Sequence, residues 1–242
     1  MRRLNWVIRM EKELEVSTSC FFVTCTYADE FMPRTPEGLP TLSKRDHQLF
    51  MKRLRKLEPD SNIRFFMCGE YGENFDRPHM HYVLFNLSHD YMAKAFLVQC
   101  NPEIYRSIEL EEIWQHGHVQ IGAISPGGMS YVAKYCQWQE AEDVTLYDPS
   151  QVKPFALMSR RPAIGANYLE KDWRSDHLYR DGHVLPMPRY YRDKMELPKD
   201  YSFLYDSPEI IEKDVRTQKN MLYNEKLYFD GQKKRKKDIA GF

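Results

Sequence analysis

The stretch that most restricts how this chain can fold is Arg64 to Phe85, RFFMCGEYGENFDRPHMHYVLF. Ile63 to Glu70 and His79 to Phe85 are both rich in aromatic and β-branched residues, the composition of strands. The polar, glycine-containing segment Tyr71 to Pro78 joins them, so the pattern predicts an antiparallel hairpin. Side chains of a strand alternate between faces, which puts His79 and His81 on one side, separated by two rises of roughly 3.3 Å each. Glu70 ends the opposite arm. Two imidazoles and one carboxylate converging on one point suit a divalent cation and leave coordination positions for a substrate. Glu73, six residues before His79, competes with Glu70 as the third ligand; its place in the turn favours Glu70.

A histidine pair in a strand is often only two half-exposed side chains. The chain carries a second such pair, His116 and His118, around Gly117, and that one reads as the structural entry to a strand. The upstream acid and a later helix set the first pair apart.

The rest of the chain supplies the surroundings. Residues 2 to 15 place Leu4, Val7, Ile8 and Leu14 near helical spacing. Ser17 to Tyr27 reads as a central strand buried on both faces. Ser43 caps a helix running to about Leu57, with Leu49, Phe50, Leu54 and Leu57 expected inward. Helices are expected over Ser88 to Val98 and Ser107 to Gln115, a strand over His118 to Ile124, and a helix from Met129 to about Gln139. The order predicts an α+β fold, a central antiparallel sheet of ferredoxin or RNA-recognition type with helices on one face. This core is expected over residues 1 to 140, and a mainly helical extension with a basic tail over 141 to 242. Within that extension, Pro162 to Trp173 and a segment opened by Ser207-Pro208 are expected to be helical.

Lysine plus arginine and aspartate plus glutamate number 35 each, so net charge does not announce nucleic acid. Charge is nonetheless local: Lys44, Arg45, Lys52, Arg53, Arg55 and Lys56 crowd one helix, and KKRKK stands at 233 to 237. Five cysteines without a C-x-x-C spacing fit a reduced compartment. No run reaches eighteen apolar residues and no signal-peptide core opens the chain, so a soluble intracellular protein without membrane partners is expected.

The second informative stretch is Tyr131-Val132-Ala133-Lys134-Tyr135. Tyr131 and Tyr135 share a helix face, and Lys134 borders it. A phenol with a pKa near 10 attacks poorly unless a cation lowers that value or a base takes its proton. Two tyrosines at this spacing are more often packing residues. Joined to the metal trio, they read as nucleophiles for a phosphodiester, giving a 5′-phosphotyrosine and a free 3′-hydroxyl.

RPHMHYVLF together with YVAKY resembles the HUH endonucleases, in particular the replication initiators of Microviridae (gokushovirus-like) single-stranded-DNA phages. Their first motif is matched by Phe22-Val23-Thr24-Cys25-Thr26-Tyr27, their metal motif by His79, His81 and Glu70, and their nucleophile motif by Tyr131, Tyr135 and Lys134. Met158-Ser159-Arg160-Arg161-Pro162-Ala163-Ile164-Gly165 continues the likeness, which spans about residues 6 to 170. Only Tyr131 has a lysine at +3, since Trp138 follows Tyr135, so Tyr131 ranks first.

The resemblance implies a rolling-circle replication initiator: a site-specific single-stranded-DNA nickase and strand-transferase using Mn²⁺ or Mg²⁺ in the cytoplasm of a bacterial host. Origin DNA, host helicase and polymerase would be its partners. Tyr27 and Trp138 are expected to stack on bases, with Lys44, Arg45, Lys52 and Arg53 on phosphates. The alternatives are a non-catalytic single-stranded nucleic-acid-binding module, a plasmid relaxase or transposase, and a hydrolase that uses water.

Overall fold

A computed structural model describes residues 2–72, 77–100, 103–124, 126–134, 147–170, 178–180, 183–185 and 187–196. The chain divides into two units, Met1–Met195 and Glu196–Phe242. The second lies beyond the described residues apart from Glu196. So do the expected helix after Ser207-Pro208 and the basic run at 233 to 237.

The first unit is built on a seven-stranded sheet in the order β4-β5-β6-β1-β3-β2-β7. The strands are β1 (Cys20–Tyr27), β2 (Arg64–Tyr71), β3 (Pro78–Phe85), β4 (Phe96–Cys100), β5 (Glu103–Arg106), β6 (Gly117–Ala123) and β7 (Phe155–Met158). Every neighbouring pair is antiparallel. The expected α+β class and central hairpin are both present.

Helices cover both faces of the sheet, where cover on one was expected. Helix α2 (Lys44–Leu57) and helix α4 (Ile108–Trp114) pack with Phe21, Val23, Cys25, Met80, Tyr82 and Leu84. On the opposite face, α1 (Arg2–Leu14) contributes Val7 and Met10, and α5 (Pro126–Lys134) contributes Met129, Val132 and Ala133. These meet Phe66, Cys68, Val83 and Phe85. The amphipathic pattern of α1 was legible, but not the face it would cover.

Ser43 caps α2 as its sequence predicts, its hydroxyl accepting from Asp46 N–H at 3.2 Å. The buried stripe is His47, Phe50, Met51 and Leu54, at i, i+3, i+4 and i+7, whereas Leu57 is exposed. Strand β1 sits in the sheet interior, yet only Phe21, Val23, Cys25 and Tyr27 are fully buried. Its other face is half-buried, because the candidate site stands on it.

Ser88 to Val98 departs from the helix its composition predicts. Only α3 (Asp90–Ala93) is helical, and Phe96 to Cys100 is an exposed edge strand paired with β5. The boundary expected at 140 falls inside the first unit, because β7 pairs with β2 in the central sheet. Where a helix was expected from Pro162, the chain instead bridges Arg160 to Ala163 and then makes a 3₁₀ turn over Ala166–Glu170. The last described elements are the hairpin β8 (Leu178–Arg180) with β9 (His183–Leu185), and α6 (Arg189–Met195). Cys25 and Cys68 are buried and Cys100 is exposed. No described helix is long and apolar enough to cross a membrane.

Candidate active site

Three neighbouring strands place the site. Glu70 on β2 is the register partner of His79 on β3, and His81 is flanked by Cys68 and Thr24. Directly paired residues of an antiparallel sheet share a face. Glu70, His79, His81, Thr24 and Thr26 therefore lie on one side, the side that α1 and α5 partly cover. The two imidazoles stack at 6.1 Å between ring centres and 16° between planes.

Arg77, which sequence reasoning did not single out, closes the end of the hairpin. Its carbonyl accepts from Gly72 N–H at 2.8 Å and from His79 Nδ1 at 2.7 Å. A carbonyl can only accept, so Nδ1 carries the proton and Nε2 keeps its lone pair. The Arg77 guanidinium donates to Tyr27 O at 2.7 Å and pairs with Asp29 at 2.5 Å. At Gly72, a Cβ would stand 3.2 Å from His79 Cε1, so the glycine makes room for the imidazole. Burial is the main reason that His79 is held below the ordinary histidine range; the Arg77 carbonyl opposes the shift and His81 adds to it. A neutral imidazole is the form that binds a metal.

His81 is buried between two partners. Thr24 Oγ1 lies 2.9 Å from its Nδ1, and Glu70 Oε1 lies 2.5 Å from its Nε2. Phe22 stacks on the ring at 5.7 Å, another contact that only the register reveals. The same Glu70 oxygen accepts from the Tyr131 hydroxyl on α5 at 2.9 Å. The Tyr131 ring stands edge-on to His81 at 5.3 Å, with 39% of the residue exposed. A buried carboxylate thus joins a buried imidazole to a half-exposed phenol.

Among the described residues, no three His, Cys, Asp or Glu groups are gathered closely enough to hold a metal ion. Glu70 leans along the sheet to His81 and Tyr131 instead of meeting His79, because a carboxylate seeks the nearest donors. By type, the donors fit a divalent cation. They are two imidazoles and a carboxylate on one face, with His79 oriented through Nδ1 by a backbone carbonyl and His81 through Nδ1 by a hydroxyl.

The remaining expected site residues are scattered. Tyr27 is a correction: it points to the α2 face and is 1% exposed. Its ring packs on Trp114 and its hydroxyl donates to Asp46 at 2.9 Å, so it has no surface for a base. Lys44, Arg45, Lys52 and Arg53 ride on α2, across the sheet from the histidines. Arg53 donates to the carbonyls of Ile113 and Trp114, and Lys44 lies over the Phe155 ring. The structure does not bring these four to the site. Lys134 ends α5, three residues after Tyr131, with its side chain outside the described set; Tyr135, Trp138 and Glu73 also lie outside the described residues. His116 sits among Tyr27, Trp114 and Asp46, and His118 is exposed beside Glu111.

Comparison with known proteins agrees with the resemblance to phage replication initiators. The chain is similar to Replication-associated protein VP4 of Bdellovibrio phage phiMH2K, 28% identical over 200 residues, covering 77% of this chain and 61% of that protein. It is also similar to Replication-associated protein ORF2 of Spiroplasma virus 4, 26% identical over 237 residues, covering 92% and 72% of the two chains. Replication-associated protein ORF4 of Chlamydia phage 1 is 26% identical over 160 residues, 61% of this chain and 40% of that one. The match therefore spans about three fifths of the first relative. No solved structure matches. The family model for replication-associated proteins of the ORF2 type matches residues 20–140, half of the chain and the span that carries the histidine pair, Glu70 and Tyr131, and the chain belongs to that family.

Proposed function

We propose that the protein is a rolling-circle replication initiator that nicks single-stranded DNA at an origin and rejoins strands through a tyrosine ester. The observation that carries this reading is the Tyr131 hydroxyl hydrogen-bonded to Glu70, beside the histidine pair on the same sheet face. Replication-associated relatives from phages support the biological setting, the cytoplasm of an infected bacterium.

The chemistry follows from these side chains. Tyr131 Oη attacks the phosphorus while Glu70, already accepting its hydrogen bond, takes the phenolic proton. The phosphorus–O3′ bond breaks and the 3′-oxygen leaves as a hydroxyl after gaining a proton. The 5′-phosphate remains esterified to the tyrosine. A 3′-hydroxyl attacking that ester reverses the step and reseals a strand. His79, His81 and Glu70 would hold Mn²⁺ or Mg²⁺, which supplies charge stabilisation on the scissile phosphate. Holding an ion there requires Glu70 and His81 to part and His81 to leave its proton on Nδ1, facing Thr24. Lys134, on the helix of Tyr131, would favour the phenolate by its charge, and Tyr135 is assigned the second transfer step. The strand would lie over the part of the sheet where Thr24, Thr26, His118 and Gln120 share the site's face. Trp138 remains the aromatic assigned to a base, and host helicase and polymerase would act on the exposed 3′-end.

The test is a covalent-adduct assay with Mn²⁺ and a labelled single-stranded origin oligonucleotide on a denaturing gel. The shifted band should form with wild type and disappear in Tyr131→Phe and His79→Ala. Cleavage without an adduct would make water the nucleophile. Binding with neither would leave a nucleic-acid-binding module.

A further inference from the structure

At the far end of β2 from Glu70, an open cavity of about 680 Å³ is lined by Arg55, Arg64, Arg160 and Arg161, with Asn62 and Phe65 between them. No acidic residue lines it. The four arginines differ in their surroundings. Arg64 is buried and paired with Glu13, and it also donates to Pro162 O at 2.9 Å. Arg55 reaches back to the carbonyl of Ile63 and lies 5.6 Å over the Phe65 ring. Burial, and then the like charge of Arg64, hold the Arg55 guanidinium below its usual range, so an anion here would relieve a repulsion. Arg160 and Arg161 are exposed, and no described side chain forms an ion pair with either.

Their backbone, by contrast, is firmly held. Ser159 N–H donates to Phe65 O at 2.9 Å and Ser159 Oγ accepts from Phe65 N–H at 3.1 Å. Arg160 bridges to Ala163, and Gly165 N–H donates to Glu13 at 2.7 Å. Gly165 stands at φ +72° with the Arg9 carbonyl 2.5 Å from where a Cβ would be, a position only glycine fits. A well-anchored loop thus displays two arginines over a hole whose other cations are already crowded. Nothing in the nicking chemistry uses it.

We propose that this cavity is a second phosphate site, which grips the sugar–phosphate backbone of the DNA strand away from the point of cleavage. Arg64 and Glu70 are six residues apart on one strand, so the site lies roughly 20 Å from the phenol's partner. Guanidiniums suit phosphodiester oxygens through paired N–H donors, and the Phe65 ring offers an apolar wall beside them. The inference rests on the reading of the protein as a single-stranded-DNA enzyme, and it adds where the strand goes next. Anchoring at two points would hold the strand in place while the ester forms.

The test is fluorescence anisotropy on the full chain without divalent metal, so that binding is read apart from cleavage. The probe is a labelled mixed-sequence single-stranded oligonucleotide of about 30 nucleotides, long enough to reach both places. Arg160→Ala/Arg161→Ala should weaken binding about tenfold or more and reduce the slope of log affinity against log salt by about 1.4, two single-strand phosphate contacts. Arg45→Ala/Lys52→Ala removes the same charge from exposed positions of α2 and should change affinity less. Equal losses in the two variants, or none in the first, would overturn the proposal. If inorganic phosphate at constant ionic strength raises the Tm of wild type and not of Arg160→Ala/Arg161→Ala, while both bind the oligonucleotide equally, the site takes a small free anion and the proposal also fails. Adduct formation by wild type with Mn²⁺ is scored separately. Its absence would sink the nicking reading and leave the binding comparison intact.

Discussion

At the scale of single residues, the two histidines differ in their supports. His79 is oriented by a backbone carbonyl, which no side-chain change removes, whereas His81 depends on the Thr24 hydroxyl. Partners of this kind typically matter 10- to 100-fold, by order of magnitude, for metal affinity. Thr24→Val keeps the β-branched shape and deletes the hydroxyl, so the Mn²⁺ concentration needed for half-maximal adduct formation should rise by about that factor. Saturating Mn²⁺ should restore the rate. A loss that persists at saturation would mean that Thr24 acts on the DNA rather than through His81. The threonine was visible in the sequence as part of F-V-T-C-T-Y, but its partner was not, because register across two strands decides which side chains meet.

At the scale of elements, α2 carries a buried titratable group into the core. His47 lies between Phe65 and Tyr82, with its Nδ1 3.2 Å from the Tyr82 hydroxyl. Burial, and secondarily Arg55, lower its pKa from 6.5 to about 4. The unfolded chain therefore binds this proton at higher pH than the folded one, and stability rises with pH. The contribution is complete above about pH 6.5 and is lost as pH falls toward about 4, a change of about 3 kcal/mol. Urea unfolding across that window should show this fall in wild type and a flatter dependence in His47→Gln. An equally steep fall in the variant would move the effect to another group. The helix itself was legible, since its cap and its i, i+3, i+4 stripe are local. The edge strand Phe96–Cys100 was not, because MAKAFLV has helix-forming residues and only pairing with β5 makes it a strand.

At the scale of the whole unit, α1 is tied to the sheet and to the loop after β7 by one carboxylate. Glu13 pairs with buried Arg64 and accepts from Gly165 N–H, while Arg9 donates to Ile164 O at 2.9 Å. Glu13→Ala leaves the Arg64 charge buried without its partner and should destabilise the protein by about 3–5 kcal/mol in chemical denaturation. A loss below about 1 kcal/mol would show that water reaches Arg64 and that the pair is a surface one in effect. The same knot holds the backbone that presents Arg160 and Arg161, so these two arginines, and not Glu13, are the positions at which to test the cavity.

The sequence alone determined the hairpin, the shared face of His79 and His81, the capped helices α2 and α4, and the pairing of a histidine motif with a tyrosine helix. All of these depend on spacing within a few residues, where alternation, helical period and cap chemistry act directly. Only the tertiary structure decided that Glu70 turns to His81 and Tyr131 rather than to His79, and that Tyr27 is core. It also decided that the basic helix lies across the sheet from the site, and that Arg55, Arg64, Arg160 and Arg161 surround one cavity. Those outcomes depend on strand register, on which face each helix covers, and on contacts between residues far apart in the chain, none of which a local pattern encodes.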